Sequence, residues 1–377
     1  MKNESEGRKT RFLPHKITTF FTTFVLFWRI CLILAAKEPY FSLEPCIFIL
    51  KKVMSSANPL VSVVVPNYNY ADYLAPRIDS ILRQSFSDFE LLLLDDCSTD
   101  HSVSVMKKYA SDPRVVAIDV NQTNTGSPFP QWMKGIKMAR GKYVWIAEAD
   151  DLAEPDFLST LVAAAESHPD LAFCYAGSLL IDSAGEVSSR DINHWGRRAA
   201  KPHACFDGKL YAERNLYWKS YVVNASGALF RRDKALQLSD SPFLGMRYCG
   251  DWLFWFSMAL LGDVVEVYQN LNFFRQHAAK VTNASRVSGG GVNEDITVVR
   301  EMESKLPQLS TYKRRLRHGM LFKKIIRLHL PADVERPILQ RLETELGGTR
   351  ADYRLMLFNR VLRWLNPFLV TPRRDRL

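Results

Sequence analysis

From Leu60 to Asp182 short apolar runs alternate with amphipathic stretches. The β-branched run "LVSVVVP" (Leu60–Pro66) reads as a buried strand ended by proline. "YADYLAPRIDSILRQ" places Leu74, Ile78, Ile81 and Leu82 on one helical face. "FELLLLDD" and "RVVAIDV" read as the second and third strands. Between them, "STDHSVSVMKKYA" reads as a helix with Ser98 or Thr99 as its cap. "PQWMKGIKMARG" predicts a helix closed by Gly141. "KYVWIAEA" is then a fourth strand, "PDFLSTLVAAAESHP" a helix with proline in its first turn, and "LAFCYAGSLLID" a fifth strand. This βαβαβαβαβ order predicts an α/β fold, a mostly parallel sheet with helices on both faces.

After Gly185 the rhythm breaks. "NASGALFRR" reads as a strand, "GDWLFWFSMALLG" as a buried helix and "DVVEVYQNLNFFRQH" as a strand. The expected organisation is a leader over 1–58, a catalytic domain over 59–290 and a basic helical C-terminal region over 291–377. Within the leader, Ile17–Ala36 has the length that spans a bilayer, and Lys2, Arg8, Lys9, Arg11 and Lys16 precede it. Arg29 interrupts it, at a cost of about 2.5–3.5 kcal/mol near a helix centre. Two readings stay open: a membrane or signal-like segment, or an extension ahead of a true start at Met54.

Charge sharpens this picture. The formal net charge is +10. From Thr311 to Leu377 there are 16 Lys/Arg against 6 Asp/Glu, so this stretch holds the whole excess. A neutral body with a basic end points to an anionic surface met at that end, not to a nucleic-acid binder. Six cysteines without a C-x-x-C pair exclude zinc spacing and a disulfide scaffold.

In open parallel sheets ligands bind beyond the carboxyl ends of the strands. Three polar clusters lie at such ends: "PNYN" (Pro66–Asn69), "DDCSTD" (Asp95–Asp100) and "EADD" (Glu148–Asp151). One alone is often helix capping. Together they describe an acidic pocket. Glu148 and Asp150, alternating along a strand, would face the same edge. Their mutual repulsion suits Mg²⁺ or Mn²⁺, which takes one or two carboxylates and lets phosphates complete its shell. Tyr68 offers a ring for a base to stack on, and Asp96 an acceptor for a pyrimidine N–H. No Walker loop occurs.

"VSVVVPNYNYADYLAPRIDSILRQSFSDFELLLLDDCSTD" resembles the start of the family 2 inverting glycosyltransferases. "NTGSPFPQWMKGIKMARGKYVWIAEADD", "CGDWLFWFSMALLG" and "LNFFRQHAAKVT" extend the resemblance to a bacterial surface-polysaccharide type, over about Leu60–Asn283. It implies a GT-A fold, a UDP- or dTDP-linked sugar donor and a glycan or lipid-linked acceptor. By motif position it implies that Pro66, Tyr68, Asn69, Asp96, Glu148, Asp151 and His277 surround the nucleotide sugar. Asp150 would be the principal metal ligand, with Glu148 beside it. The family's Asp-x-Asp is Glu148-Ala149-Asp150 here, so direct or water-bridged contact of Glu148 stays open. The processive members' Gln-x-x-Arg-Trp is "RVLRW" (Arg360–Trp364), which speaks against a polymerase.

Asp251 opens the apolar helix, and two roles compete for it. It is an N-cap by position alone, or by the resemblance the catalytic base. Trp132 reads as core, and Asn224 as either a turn residue or an acceptor contact. The basic end reads as a helical cap, or as interfacial helices on an anionic leaflet. The expected location is cytoplasmic, peripheral at the inner face of the membrane. Rival readings are a sugar-phosphate nucleotidyltransferase, which needs a Gly-rich basic loop absent from "PNYNYADY", and a receiver-like signalling domain.

Overall fold

The computed structural model describes residues 58–189, 192–193, 200–276 and 288–365. The expected contact of His277 and the segment Ile17–Ala36 lie outside them. From Pro59 onward the chain forms one compact unit.

Four strands make the first half of the sheet: β1 (Val61–Asn67), β2 (Phe89–Asp95), β3 (Val115–Val120) and β4 (Tyr143–Ile146). They lie in the order β3-β2-β1-β4, every pair parallel. The chain runs outward from β1 to β3, then returns to the other side of β1. The order therefore reverses between β1 and β4, and a crevice opens at their carboxyl ends. Alternate β1 residues serve opposite faces. Val61, Val63 and Val65 pack with Leu74, Ile78 and Ile81 of helix α1 (Ala71–Leu82). Met106 of α2 (Ser102–Lys107) lies on that face too. Val64 packs with Phe129, Trp132 and Ile136 of α3 (Pro128–Met138) on the other.

The second half is mixed. Beyond β5 (Leu152–Ala153) and α4 (Phe157–Glu166) come β6 (Leu171–Ile181), β7 (Val187–Ser189), β8 (His203–Phe206), β9 (Ala228–Arg231) and β10 (Asp263–Arg275). The expected fifth strand, β6, does not lie against β4. β9 inserts between them, antiparallel to both, and β6 pairs parallel with β10. The expected strand through Lys142–Ala149 stops at Ile146. One further backbone bond, Ala147 N–H to the Val64 carbonyl, closes the ladder, and the chain then turns.

Two expected helix ends also differ. Ser98 and Thr99 do not cap α2, because Asp100 Oδ1 accepts the Ser102 N–H at 2.9 Å. Gly141 lies beyond the end of α3 at Met138. A Cβ there would come within 2.6 Å of the Ser62 nitrogen, so close packing against β1 is what requires glycine.

Helix α5 (Gly250–Ala259) is apolar all round and buried except at Asp251. It is covered from outside by α6 (Gly290–Lys305), α7 (Thr311–Arg327), α8 (Ala332–Leu346) and α9 (Arg350–Leu365). Val292, Ile296, Val299, Leu321 and Ile325 share one continuous core with Phe254 and Trp255. The C-terminal helices are thus a layer of the fold. Among the described residues no helix is long and apolar enough to cross a membrane.

Candidate functional site

The crevice between β1 and β4 gathers the three polar clusters. Asn67 and Asp95 are register partners at the ends of β1 and β2. Asn67 Nδ2 donates to Asp95 Oδ1 at 2.8 Å, and Ser98 Oγ donates to the same oxygen at 2.7 Å. Asn69, in the left-handed region at φ 57°, accepts the Thr99 N–H at 2.8 Å. Its carboxamide thus ties two loops together. Pro66 is buried within β1 and offers no polar side chain. Tyr68 is 45% exposed beside them, open for stacking.

Asp96 is buried and fully engaged. Its carboxylate accepts from Asn121 Nδ2 at 2.7 Å, Thr125 Oγ1 at 2.7 Å, Thr125 N–H at 3.0 Å and Gln131 Nε2 at 3.1 Å. It organises the loop before α3. A pyrimidine N–H would have to replace one of these donors.

The acidic turn 147–151 lies off the strand, so alternation along β4 does not explain how Glu148 and Asp150 meet. Hydrogen bonds fix the turn. The Glu148 N–H donates to Ser226 Oγ at 3.0 Å, and Trp132 Nε1 donates to Glu148 Oε1 at 2.8 Å. Arg275 Nε donates to the Asp150 carbonyl at 2.6 Å. Asp151 is buried and accepts from Asn224 Nδ2 at 2.7 Å, Ser226 Oγ at 2.7 Å and the Arg275 N–H at 3.0 Å. Asp151 therefore anchors the turn, and Asn224 and Trp132 support it.

A cleft of about 470 Å³ is lined by Glu148, Asp150, Asp151, Asn224, Trp132 and Asp251, with Val292, Lys324 and Leu328 on its C-terminal wall. Burial, then the charges of Asp150 and Asp151, push Glu148 up to about 8. Burial, then Asp150, also raises Asp151. Asp251 is pushed up to about 6 by burial; the N–H groups of Trp252 and Asp251 oppose the shift, and Asp295 and Glu294 add to it.

Asp251 occupies the first turn of α5, two residues past the N-cap position, which is Cys249 and makes no side-chain cap hydrogen bond. The preceding loop is held by Glu294 of α6, whose carboxylate accepts the N–H groups of Arg247 at 2.7 Å, Tyr248 at 2.8 Å and Cys249 at 2.9 Å. Asp251 itself lines the cleft.

Arg77 carried no signal in the sequence beyond its place on a helix. It is fully buried on the face of Trp145, 4.8 Å from the ring centroid. None of its guanidinium nitrogens has a hydrogen-bond partner among the described residues. Burial lowers its pKa to about 10, and the charges of Asp151, Asp150 and Glu148 oppose that shift. It is a resident cation for the acidic turn.

Among the described residues no three His, Cys, Asp or Glu side chains are gathered to hold a metal by themselves. Glu148 and Asp150 line one cleft, and two such carboxylates are donors of the kind a hard dication takes when substrate phosphates complete its shell.

Residues 62–238 match the family model described as glycosyl transferase family 2. The chain carries a family 2 glycosyltransferase domain. It is 30% identical over 166 residues to the chondroitin synthase of Escherichia coli, covering 43% of this chain and 23% of that protein. It is 30% identical over 162 residues to the putative colanic acid biosynthesis glycosyl transferase WcaA of Escherichia coli K12, covering 42% and 54%. The chain thus spans less than two thirds of either relative. The crystal structure of S. aureus TarS 1–349 in complex with UDP-GlcNAc has a TM-score of 0.57 at 16% identity, covering 78% of this chain and 83% of that one. That likeness bears on the fold, and the GT-A arrangement expected from the sequence is the one found. The transferase domain ends inside the sheet by this match. Asp251 and Lys324 lie beyond residue 238, yet they line the cleft, and Glu294, also beyond it, holds the loop before Asp251.

Proposed function

We propose that the protein transfers a single sugar, with inversion, from a UDP- or dTDP-linked donor to a glycan or lipid-linked acceptor of a cell-surface polysaccharide. The observation that carries this reading is the shared cleft, in which Asp251 stands with Glu148 and Asp150 at the carboxyl edge of the sheet. The names of the curated relatives support the acceptor class.

Tyr68 stacks on the base, and the Asp96 network shapes the loop beside it. Glu148 and Asp150 would hold Mg²⁺ or Mn²⁺, which would supply positive charge against the leaving diphosphate. Asp151, pinned by Asn224, Ser226 and Arg275, keeps the turn in place. Asp251 takes the proton of the acceptor hydroxyl. The oxygen attacks the anomeric carbon from the face opposite the diphosphate, and the bond to that diphosphate breaks. A base with a pKa near 6 is ionised at neutral pH yet basic enough to assist.

A panel of nucleotide sugars, incubated with and without Mn²⁺, tests the reading. Metal-dependent release of nucleoside diphosphate from one donor is expected. Release from none, or formation of a nucleotide sugar from a sugar phosphate, overturns it.

A further inference from the structure

A second cavity lies among the C-terminal helices, outside the acidic cleft. It is a groove of about 620 Å³ between α7, α9 and the segment around Trp218. Trp218, Leu316 and Met356 give it an apolar floor. Lys219, Lys323, Arg327 and Arg360 rim it, and no Asp or Glu is among its lining residues.

The charge arrangement sets this groove apart from its surroundings. Nearby cations on α7 are paired: Lys313 with Glu213, Arg314 with Glu303 and Arg315 with Asp352. Lys323, Arg327 and Arg360 have no carboxylate partner among the described residues. Desolvation, then the charges of Arg327 and Arg360, hold the Lys323 ammonium below its ordinary range. Like charges gathered over an apolar floor cost free energy unless an anion joins them. The groove neighbours the acidic cleft, since Lys324 and Leu328 line both.

We propose that this groove seats the acceptor as a lipid-linked diphosphate, its hydrocarbon chain on Trp218, Leu316 and Met356 and its anionic group among Lys323, Arg327 and Arg360. Calling the occupant an acceptor rests on the transferase reading; the binding site itself does not. A bilayer surface meets cations on a projecting face. Here they rim a concavity with an apolar floor, which is the form of a site for one amphipathic molecule.

Farnesyl diphosphate is the probe, measured by calorimetry on the full chain in EDTA and at fixed ionic strength. The wild type is expected to bind it about tenfold more tightly than either inorganic diphosphate or farnesol, because each supplies half of the recognition. The double variant Lys323→Met with Arg327→Met keeps the apolar stems. It should bind farnesyl diphosphate about tenfold or more weakly, through the loss of charge-assisted contacts. UDP binding in Mn²⁺, read in parallel, should stay within about twofold in this variant. Equal wild-type affinity for farnesyl and inorganic diphosphate overturns the proposal, and so does unchanged affinity in the double variant. Binding to phosphatidylglycerol vesicles that the double variant loses, without any farnesyl diphosphate binding, overturns it in favour of a bilayer-facing surface. If farnesyl diphosphate binds as expected and no nucleoside diphosphate does, the groove stands and the transferase reading falls.

Discussion

Glu294 accepts the backbone N–H of Cys249 at 2.9 Å, two residues before Asp251. With the N–H groups of Arg247 and Tyr248 it forms a three-point clasp from α6 onto the entrance of α5. The clasp holds the loop that leads into the helix, while the N–H groups of Asp251 and Trp252 in the first turn bear on the Asp251 carboxylate itself.

Glu294→Gln tests this directly. Glutamine keeps one carbonyl acceptor but loses the second oxygen and the charge. Stability should fall by about 0.5–1.5 kcal/mol, since the donors are exposed or only partly buried and water can take up part of the loss. Transfer should fall more than UDP affinity, because the clasp positions Asp251 and not the nucleotide. A parallel loss of both, read as kcat and as UDP Kd, would show that the clasp holds the whole cleft.

The sheet was legible because β1, β2 and β4 are continuous β-branched or leucine runs whose period is local. Where β4 ends was not. "KYVWIA" stays apolar past Ile146, and apolarity does not reveal where the hydrogen-bond ladder stops. The insertion of β9 between β4 and β6 depends on pairing between distant segments, which no local pattern records. The acids of the cleft stood out as a charge cluster at a strand end. Their supports did not. Arg77 looks like any polar residue on an amphipathic helix, until Trp145 and the turn above it close over its guanidinium. Glu294 reads as one of several acids on an amphipathic helix. Its role exists only because α6 packs against α5.

Asp150→Ala should abolish the metal dependence of nucleotide binding. Calorimetry on the wild type should give much tighter UDP binding in Mn²⁺ than in EDTA, and the variant should show the EDTA value in both. Metal-independent UDP binding by the wild type would remove the metal role of the turn.

Arg77→Met removes a buried positive charge and keeps much of the volume over Trp145. Coulomb's law then gives a definite sign: a dication placed at the acidic turn loses a repulsive neighbour. Mn²⁺ should bind several-fold more tightly to the variant and raise its melting temperature by more than it raises that of the wild type. An equal or smaller shift would mean that the Arg77 charge does not reach the site. Both readouts are independent of turnover.

Asp251→Asn keeps size and polarity and removes the proton acceptor. Burial raises the folded pKa of Asp251 to about 6, above its ordinary 3.8. The folded state therefore holds that proton more tightly than the unfolded chain. The carboxylate costs stability above about pH 6, and the cost fades as pH falls towards 4. Asparagine, which resembles the protonated form, should stabilise the protein at pH 8 by about 1–2 kcal/mol after discounting for partial exposure, with no gain below pH 4. Transfer should move the opposite way. General-base assistance is typically worth about 10²–10⁴ in rate, so the variant should lose at least that much while UDP affinity holds. The wild-type rate should fall on acidification with one proton near pH 6. A carboxylate engaged as a cap predicts the reverse on every count, since asparagine caps nearly as well as aspartate and leaves both turnover and stability unchanged. Near-normal transfer in Asp251→Asn, or an acid limb well below pH 5, would therefore end the assignment of Asp251 as the base. Asp151 could not inherit the role, because Asn224, Ser226 and Arg275 already occupy its carboxylate.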